Sequence, residues 1–153
     1  ADALQLGADV PVCLAHAPQR MRGIGEILDP IAPLPDLAIV LVNPRVAVPT
    51  APVFNGLASK TNSAMADTIP AFADAAGFVH WLGAQRNDLE APARVHAPQV
   101  DKALAALEGA LLARMSGSGA TCFGLYESGA AQAARRIAQT HPDWWVRAGR
   151  VLS

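Results

Sequence analysis

The residues able to do chemistry in this chain are few and widely spaced. Ser116-Gly117-Ser118-Gly119 interrupts an apolar stretch, and Leu111 to Tyr126 (LLARMSGSGATCFGLY) predicts a strand, a tight glycine loop and a second strand. Glycine accepts φ > 0 without a Cβ clash and lets a ligand come close to the backbone. Successive N–H groups in such a turn can converge on an anion. A hairpin with a plain flexible tip has the same pattern, because Gly/Ser turns are ordinary punctuation between strands. Asp9, within Leu6-Gly7-Ala8-Asp9-Val10-Pro11, falls at a predicted helix-to-strand junction. A carboxylate there can position an attacking alcohol or take its proton, and Pro11 biases Val10 toward an extended backbone. A solvated or capping turn aspartate is the competing reading. Phe54 follows Thr50 at i+4 on a predicted short helix, so hydroxyl and ring share one face. That pair suits hydrogen bonding to and stacking on a planar base, although a core phenylalanine is the commoner explanation of such a ring.

Other chemistries find less support. His16, His80, His96 and His141 show no short ligand spacing with one another or with either cysteine, so no metal site is expected. Gly56-Leu57-Ala58-Ser59-Lys60-Thr61 ends like a Walker A loop but has Ser59 where the motif requires glycine before lysine. Glycines abut Ser118 directly, which is not the spacing of a nucleophile elbow. The net charge is −1 and no Lys/Arg run occurs, so bulk electrostatics give no reason to expect nucleic acid or an anionic membrane as partner. A few backbone N–H groups suffice for phosphate, and local phosphate binding stays open. Cys13 and Cys122, far apart and without a CxxC partner, read as reduced core thiols of a cytoplasmic protein.

The elements that must position these residues follow from periodicity. The chain is 52% hydrophobic and 16% charged, against intrinsic disorder, and its 153 residues allow a real core. Residues 1–8 read as the last turns of a helix, with Gly7 as C-cap. Val10 to Ala15 is then expected as a strand, turning near Ala17-Pro18-Gln19 into a partner strand over Met21 to Ile31. Pro30, Pro33 and Pro35 mark a linker. Leu37 to Val42 (LAIVLV) suits a central strand buried on both faces. Thr50 is expected to cap a short helix reaching about Leu57, followed by a mobile loop over 56–69. Further helices are expected over Pro70 to Ala84, from Asn87-Asp88-Leu89-Glu90, over Gln99 to Leu107 and over Ala130 to Gln139, with a last strand over Trp144 to Val151. From residue 36 onward, with the middle helices counted as one layer, this is an α+β, ferredoxin-like βαββαβ arrangement. The expected division is 1–35, the tail of a preceding domain, and 36–153. No segment approaches the length of unbroken apolar sequence that a membrane span needs.

Taken together, the segments resemble the C-terminal half of GHMP-superfamily small-molecule kinases, and within them the family acting on 4-diphosphocytidyl-2-C-methyl-D-erythritol. Met115-Ser116-Gly117-Ser118-Gly119 points to the superfamily. Gly7-Ala8-Asp9-Val10-Pro11, Gly23-Ile24-Gly25-Glu26, Pro49-Thr50-Ala51-Pro52-Val53-Phe54 and Arg86-Asn87-Asp88-Leu89-Glu90, in this order, narrow it. The resemblance implies that Asp9 is the catalytic carboxylate, that Phe54 stacks on cytosine with Thr50 lining the same pocket, and that Ser116, Gly117, Ser118 and Gly119 close over the ATP phosphates. It further implies ATP and Mg²⁺, transfer of the γ-phosphoryl to the substrate 2-hydroxyl in isoprenoid precursor biosynthesis, and residues 1–35 as the end of a ribosomal-S5-like N-terminal domain. The family's main phosphate loop and active-site lysine have no counterpart before Asp9, so the chain is expected to be a fragment, inactive alone, whose partners are the substrate, ATP and the N-terminal half of the same polypeptide. Other kinases of the superfamily, of homoserine or mevalonate type, and a non-enzymatic ferredoxin-like ligand-binding module are the alternatives.

Overall fold

The computed structural model describes residues 3–152, and the side chains from Gln5 onward. The predicted terminal helix is a single 3-10 turn over Ala3–Leu6, ended by Gly7 at φ +147°; its first residues lie outside the described ones. Val10–Cys13 is a short helix, α1, where a strand was expected. Pro11 in its first turn explains the difference: a missing N–H and a fixed φ cost nothing there. Cys13 is exposed, so it is no core thiol, whereas Cys122 is buried as expected.

The first hairpin also differs from expectation. β1 (Gln19–Arg22) and β2 (Ile27–Pro30) pair antiparallel across Gly23-Ile24-Gly25-Glu26, not around Ala17-Pro18-Gln19. Gly23 (φ +66°) and Gly25 (φ +107°) supply the positive φ that this turn requires. The Glu26 carboxylate accepts the Ile24 N–H at 2.6 Å, and Arg22 donates to Asp29 across the ladder at 2.6 Å, which holds the Asp29 carboxyl below its ordinary range.

Beyond the proline-rich connection the expected architecture is present. β3 (Ala38–Asn43) is followed by α2 (Thr50–Asn55), α3 (Ala75–Gly83), α4 (Glu90–His96) and α5 (Gln99–Ala106). Then come β4 (Leu112–Met115), β5 (Cys122–Tyr126), α6 (Ala130–Thr140) and β6 (Trp145–Arg150). Four helices thus separate β3 from β4. The strands form an antiparallel sheet in the order β4-β5-β3-β6, the ferredoxin-like order.

Both faces of β3 are covered, and period-2 alternation assigns its residues to them. Val40 and Val42 face one core with Met115, Cys122, Val100 and Ala103 of α5, and Ile137 of α6. Leu37 and Ile39 face a second cluster built on Phe78 of α3, Leu125 and the half-buried Phe72 and Trp81. α3 starts five residues later than Pro70, because Asp74 is its cap and accepts the Gly77 N–H at 2.8 Å. Phe72 therefore lies ahead of the helix and packs edge-on against Phe78, 5.1 Å between ring centroids. Thr50 is the first residue of α2 and not its cap, a position taken by Pro49 with no side-chain cap bond. Among the described residues no helix is long and apolar enough to cross a membrane.

Candidate functional site

The glycine loop joins β4 to β5 at the edge of the sheet. Its mouth is closed by Ser116 N–H donating to the Thr121 carbonyl at 2.8 Å, and its tip by Gly119 N–H donating to the Ser116 carbonyl at 3.0 Å. Gly117 (φ +56°) and Gly119 (φ +92°) take the positive φ foreseen from the sequence. A Cβ on Gly119 would stand 2.9 Å from Met115 Sδ, so the buried Met115 is a packed floor beneath the loop. Among the described residues the amides of Gly117 and Ser118 meet no acceptor. Two adjacent free donors on a glycine turn fit a phosphate oxygen.

Three neighbours set the loop in place. From the α3–α4 connection, Asn87 Nδ2 donates to the carbonyls of Met115 (3.1 Å) and Gly117 (2.8 Å), while its Oδ1 accepts the Leu89 N–H at 3.1 Å. Glu90, the first residue of α4, accepts the Met115 N–H at 3.3 Å. At the end of β3, Asn43 Nδ2 donates to Thr121 Oγ1 at 2.8 Å and its Oδ1 accepts the Arg45 N–H at 2.7 Å. Arg114 of β4 fixes the connection that carries Asn87, donating to the carbonyls of Gly83 and Gln85. No role for Asn43, Asn87, Glu90 or Arg114 emerges from sequence reasoning. The local signal at Asn87 is an asparagine three residues ahead of a helix, which predicts an Asx turn and says nothing of a loop distant in sequence.

The other expected site residues are distributed as follows. Thr50 Oγ1 lies 3.4 Å from Ser118 Oγ, so α2 touches the loop directly. Phe54, one turn on, is 48% exposed and is therefore not a core residue. A cleft of about 490 Å³ opens beside α2 between Gly56, Leu57 and Ser59 on one side and Asn87, Ala91 and Pro92 on the other; Thr50 and Phe54 are not among its lining residues. Asp9 is exposed, stands as N-cap of α1 and makes no side-chain cap bond. Its backbone is seated by the first hairpin: a Cβ on Gly25 would come within 2.1 Å of the Ala8 carbonyl oxygen, so only glycine permits that approach. No hydrogen bond joins Asp9 to the glycine loop among the described residues. The structure thus brings Thr50 and Ser118 together.

Thiol chemistry drops out on electrostatics. Burial, reinforced by the Glu90 carboxylate, pushes the Cys122 thiol up to about 12, so it is protonated and inert beside the loop. Among the described residues no three His, Cys, Asp or Glu side chains gather to hold a metal ion.

Comparison with known proteins gives the family. The family described as GHMP kinases C terminal matches residues 67–143, half of the chain. A protein of Dinoroseobacter shibae named 4-diphosphocytidyl-2-C-methyl-D-erythritol kinase is 57% identical over 95% of this chain and 52% of its own length. One of the same name from Paracoccus denitrificans is 57% identical over 94% of this chain and 54% of its own. A crystal structure of 4-(cytidine 5'-diphospho)-2C-methyl-D-erythritol kinase superposes with a TM-score of 0.70 at 31% identity, over 97% of this chain and 55% of that one. A homoserine kinase from Cytophaga hutchinsonii shares the fold, with a TM-score of 0.62 at 19% identity. The chain spans about half the length of the curated relatives it matches. With the family model matching half of the chain and relatives 57% identical over nearly all of it, this chain belongs to the GHMP kinases.

Proposed function

We propose that this chain forms the C-terminal part of an ATP-dependent kinase that phosphorylates the 2-hydroxyl of 4-diphosphocytidyl-2-C-methyl-D-erythritol. The reading rests on relatives of that name at 57% identity over nearly the whole chain. The structural observation that carries it is the 3.4 Å approach of Thr50 to Ser118, which couples a helix bearing an exposed aromatic ring to a loop bearing free amides. One substrate with a planar base and an anionic centre can engage both. ATP, when bound, supplies the phosphoryl group. The Gly117 and Ser118 amides hold its phosphate oxygens by backbone hydrogen bonds, Ser116 and Gly119 shaping the turn that presents them. Phe54 stacks on the cytosine and Thr50 orients the adjoining polar groups. Phosphoryl transfer needs alignment and charge stabilisation more than covalent help, and a carboxylate is a weak base toward an alcohol. Asp9 therefore orients the substrate hydroxyl and takes its proton late. The rest of the polypeptide supplies the remaining nucleotide contacts, and the reaction runs in the cytoplasm.

The test is turnover by the full-length protein carrying this chain, with ATP and with substrates having or lacking the cytidine group. The expected result is ATP-dependent phosphorylation at the 2-hydroxyl, dependent on the cytidine group and largely abolished by Asp9→Ala. Equal turnover of a small amino alcohol such as homoserine would displace the substrate assignment. Full turnover by Asp9→Ala would remove the role given to that residue.

A further inference from the structure

We infer that Asn87 is a positioning residue that aims the Ser118 amide at a bound phosphate. The inference rests on the anion-binding reading of the glycine loop given above. The Asn87 amide group spends all of its polarity on backbone. Nδ2 donates both hydrogens, to Met115 O and Gly117 O, and Oδ1 accepts the Leu89 N–H. That last bond closes a turn at the entrance to α4 and fixes the rotamer, so the two donors point at the loop from a rigid base. Arg114 holds the same connection from β4 through the carbonyls of Gly83 and Gln85. Glu90 takes the Met115 N–H, so the α3–α4 connection and the first residue of α4 together engage both the C=O and the N–H of that residue.

The consequence follows from peptide geometry. In a trans peptide the C=O and the following N–H point in opposite directions across one plane. The Gly117 carbonyl and the Ser118 N–H belong to one such plane. Drawing the carbonyl onto Asn87 at 2.8 Å turns the Ser118 N–H away from α4, to the side where no protein acceptor meets it. Without Asn87 this peptide is free to rotate, since Gly117 has no Cβ and its surroundings are open. A donor held in place before the anion arrives costs no reorganisation on binding. Asn87 thus touches no ligand and acts through the plane it holds.

Asn87→Asp separates this role from packing. The carboxylate keeps the acceptor for Leu89 and nearly the same shape, but it repels the two carbonyls it must face. The probe is inorganic tripolyphosphate, titrated into the full-length protein while the Ser118 amide is followed by proton–nitrogen correlation spectra. In the parent protein the Ser118 amide is expected to move downfield with saturation. In Asn87→Asp that response disappears and affinity falls ~10–100-fold, the size of one lost hydrogen bond to a charged group. If Asn87→Asp does not fold, Asn87→Ala, which removes the donors without adding charge, is read in the same way. A Ser118 response unchanged in the folded variant overturns the inference, and so does a parent amide that ignores the anion. Neither readout involves the nucleoside substrate, so a wrong substrate assignment leaves this result intact.

Discussion

At Gly119 two separate constraints meet: a φ of +92°, and a buried Met115 whose Sδ lies 2.9 Å from where a Cβ would stand. At Gly117 only the first applies, with φ +56° and open space around the missing Cβ. The pair therefore separates backbone strain from packing within one loop. Gly117→Ala should destabilise by about 1–2 kcal/mol, the cost of a left-handed backbone for an ordinary residue. Gly119→Ala should cost more, because Met115 must also move off its rotamer. Urea denaturation of the two variants checks this, and equal losses would mean that Met115 exerts no constraint. The loop itself was legible, since Ser-Gly-Ser-Gly between apolar runs states both its turn and its amides. What holds it was not. Asn87 and Asn43 each reach the loop from another part of the chain, and a side chain's long-range partner leaves no periodic trace.

Among the elements, the long apolar runs were read closely and the short ones were not. β3, β5, α5 and α6 each have enough residues to display a period, and each lies within a residue or two of its expected bounds. Val10–Cys13 has too few residues to show any, so Pro11 decided its conformation. The first hairpin turns at Gly23 and Gly25 and not at Pro18, because positive φ is what a tight antiparallel connection needs and proline cannot supply it. At α3 a cap likewise outweighs a proline, and the effect has an energetic test. Asp74, not Pro70, starts the helix by accepting the Gly77 N–H, and α3 covers the second face of the sheet through Phe78 and Trp81. Asp74→Ala should cost about 1 kcal/mol and speed amide exchange selectively in α3. Unchanged exchange at Phe78 and Trp81 would show that packing, and not the cap, decides where that helix begins.

For the whole molecule, we propose that residues 36–153 are an autonomous folding unit and that residues 1–35 belong with a different domain. The four-stranded sheet draws every one of its strands from beyond residue 36, and so do the buried residues of both core clusters, with Leu34, half-buried, packed against the second from the other side of the boundary. Among the described residues, the side-chain hydrogen bonds across the boundary come from Arg20, which donates to the carbonyls of Met65 and Asp67. The hairpin meanwhile is held by its own ladder and by Arg22 and Asp29. Two hydrogen bonds from one largely covered arginine contribute little beside the burial of two apolar clusters. The polypeptide 36–153 is thus expected to unfold in one cooperative step. Its single cysteine reports the outcome directly, because Cys122 is fully buried and its thiol is pushed up to about 12. At pH 8 such a thiol is protonated as well as shielded, so a maleimide should leave it unmodified until denaturant exposes it. Within the longer chain, the exposed Cys13 should take one equivalent at once and Cys122 none. Rapid modification of Cys122 in 36–153 under native conditions would show that this core needs residues 1–35 to close, and the boundary would have to be drawn elsewhere.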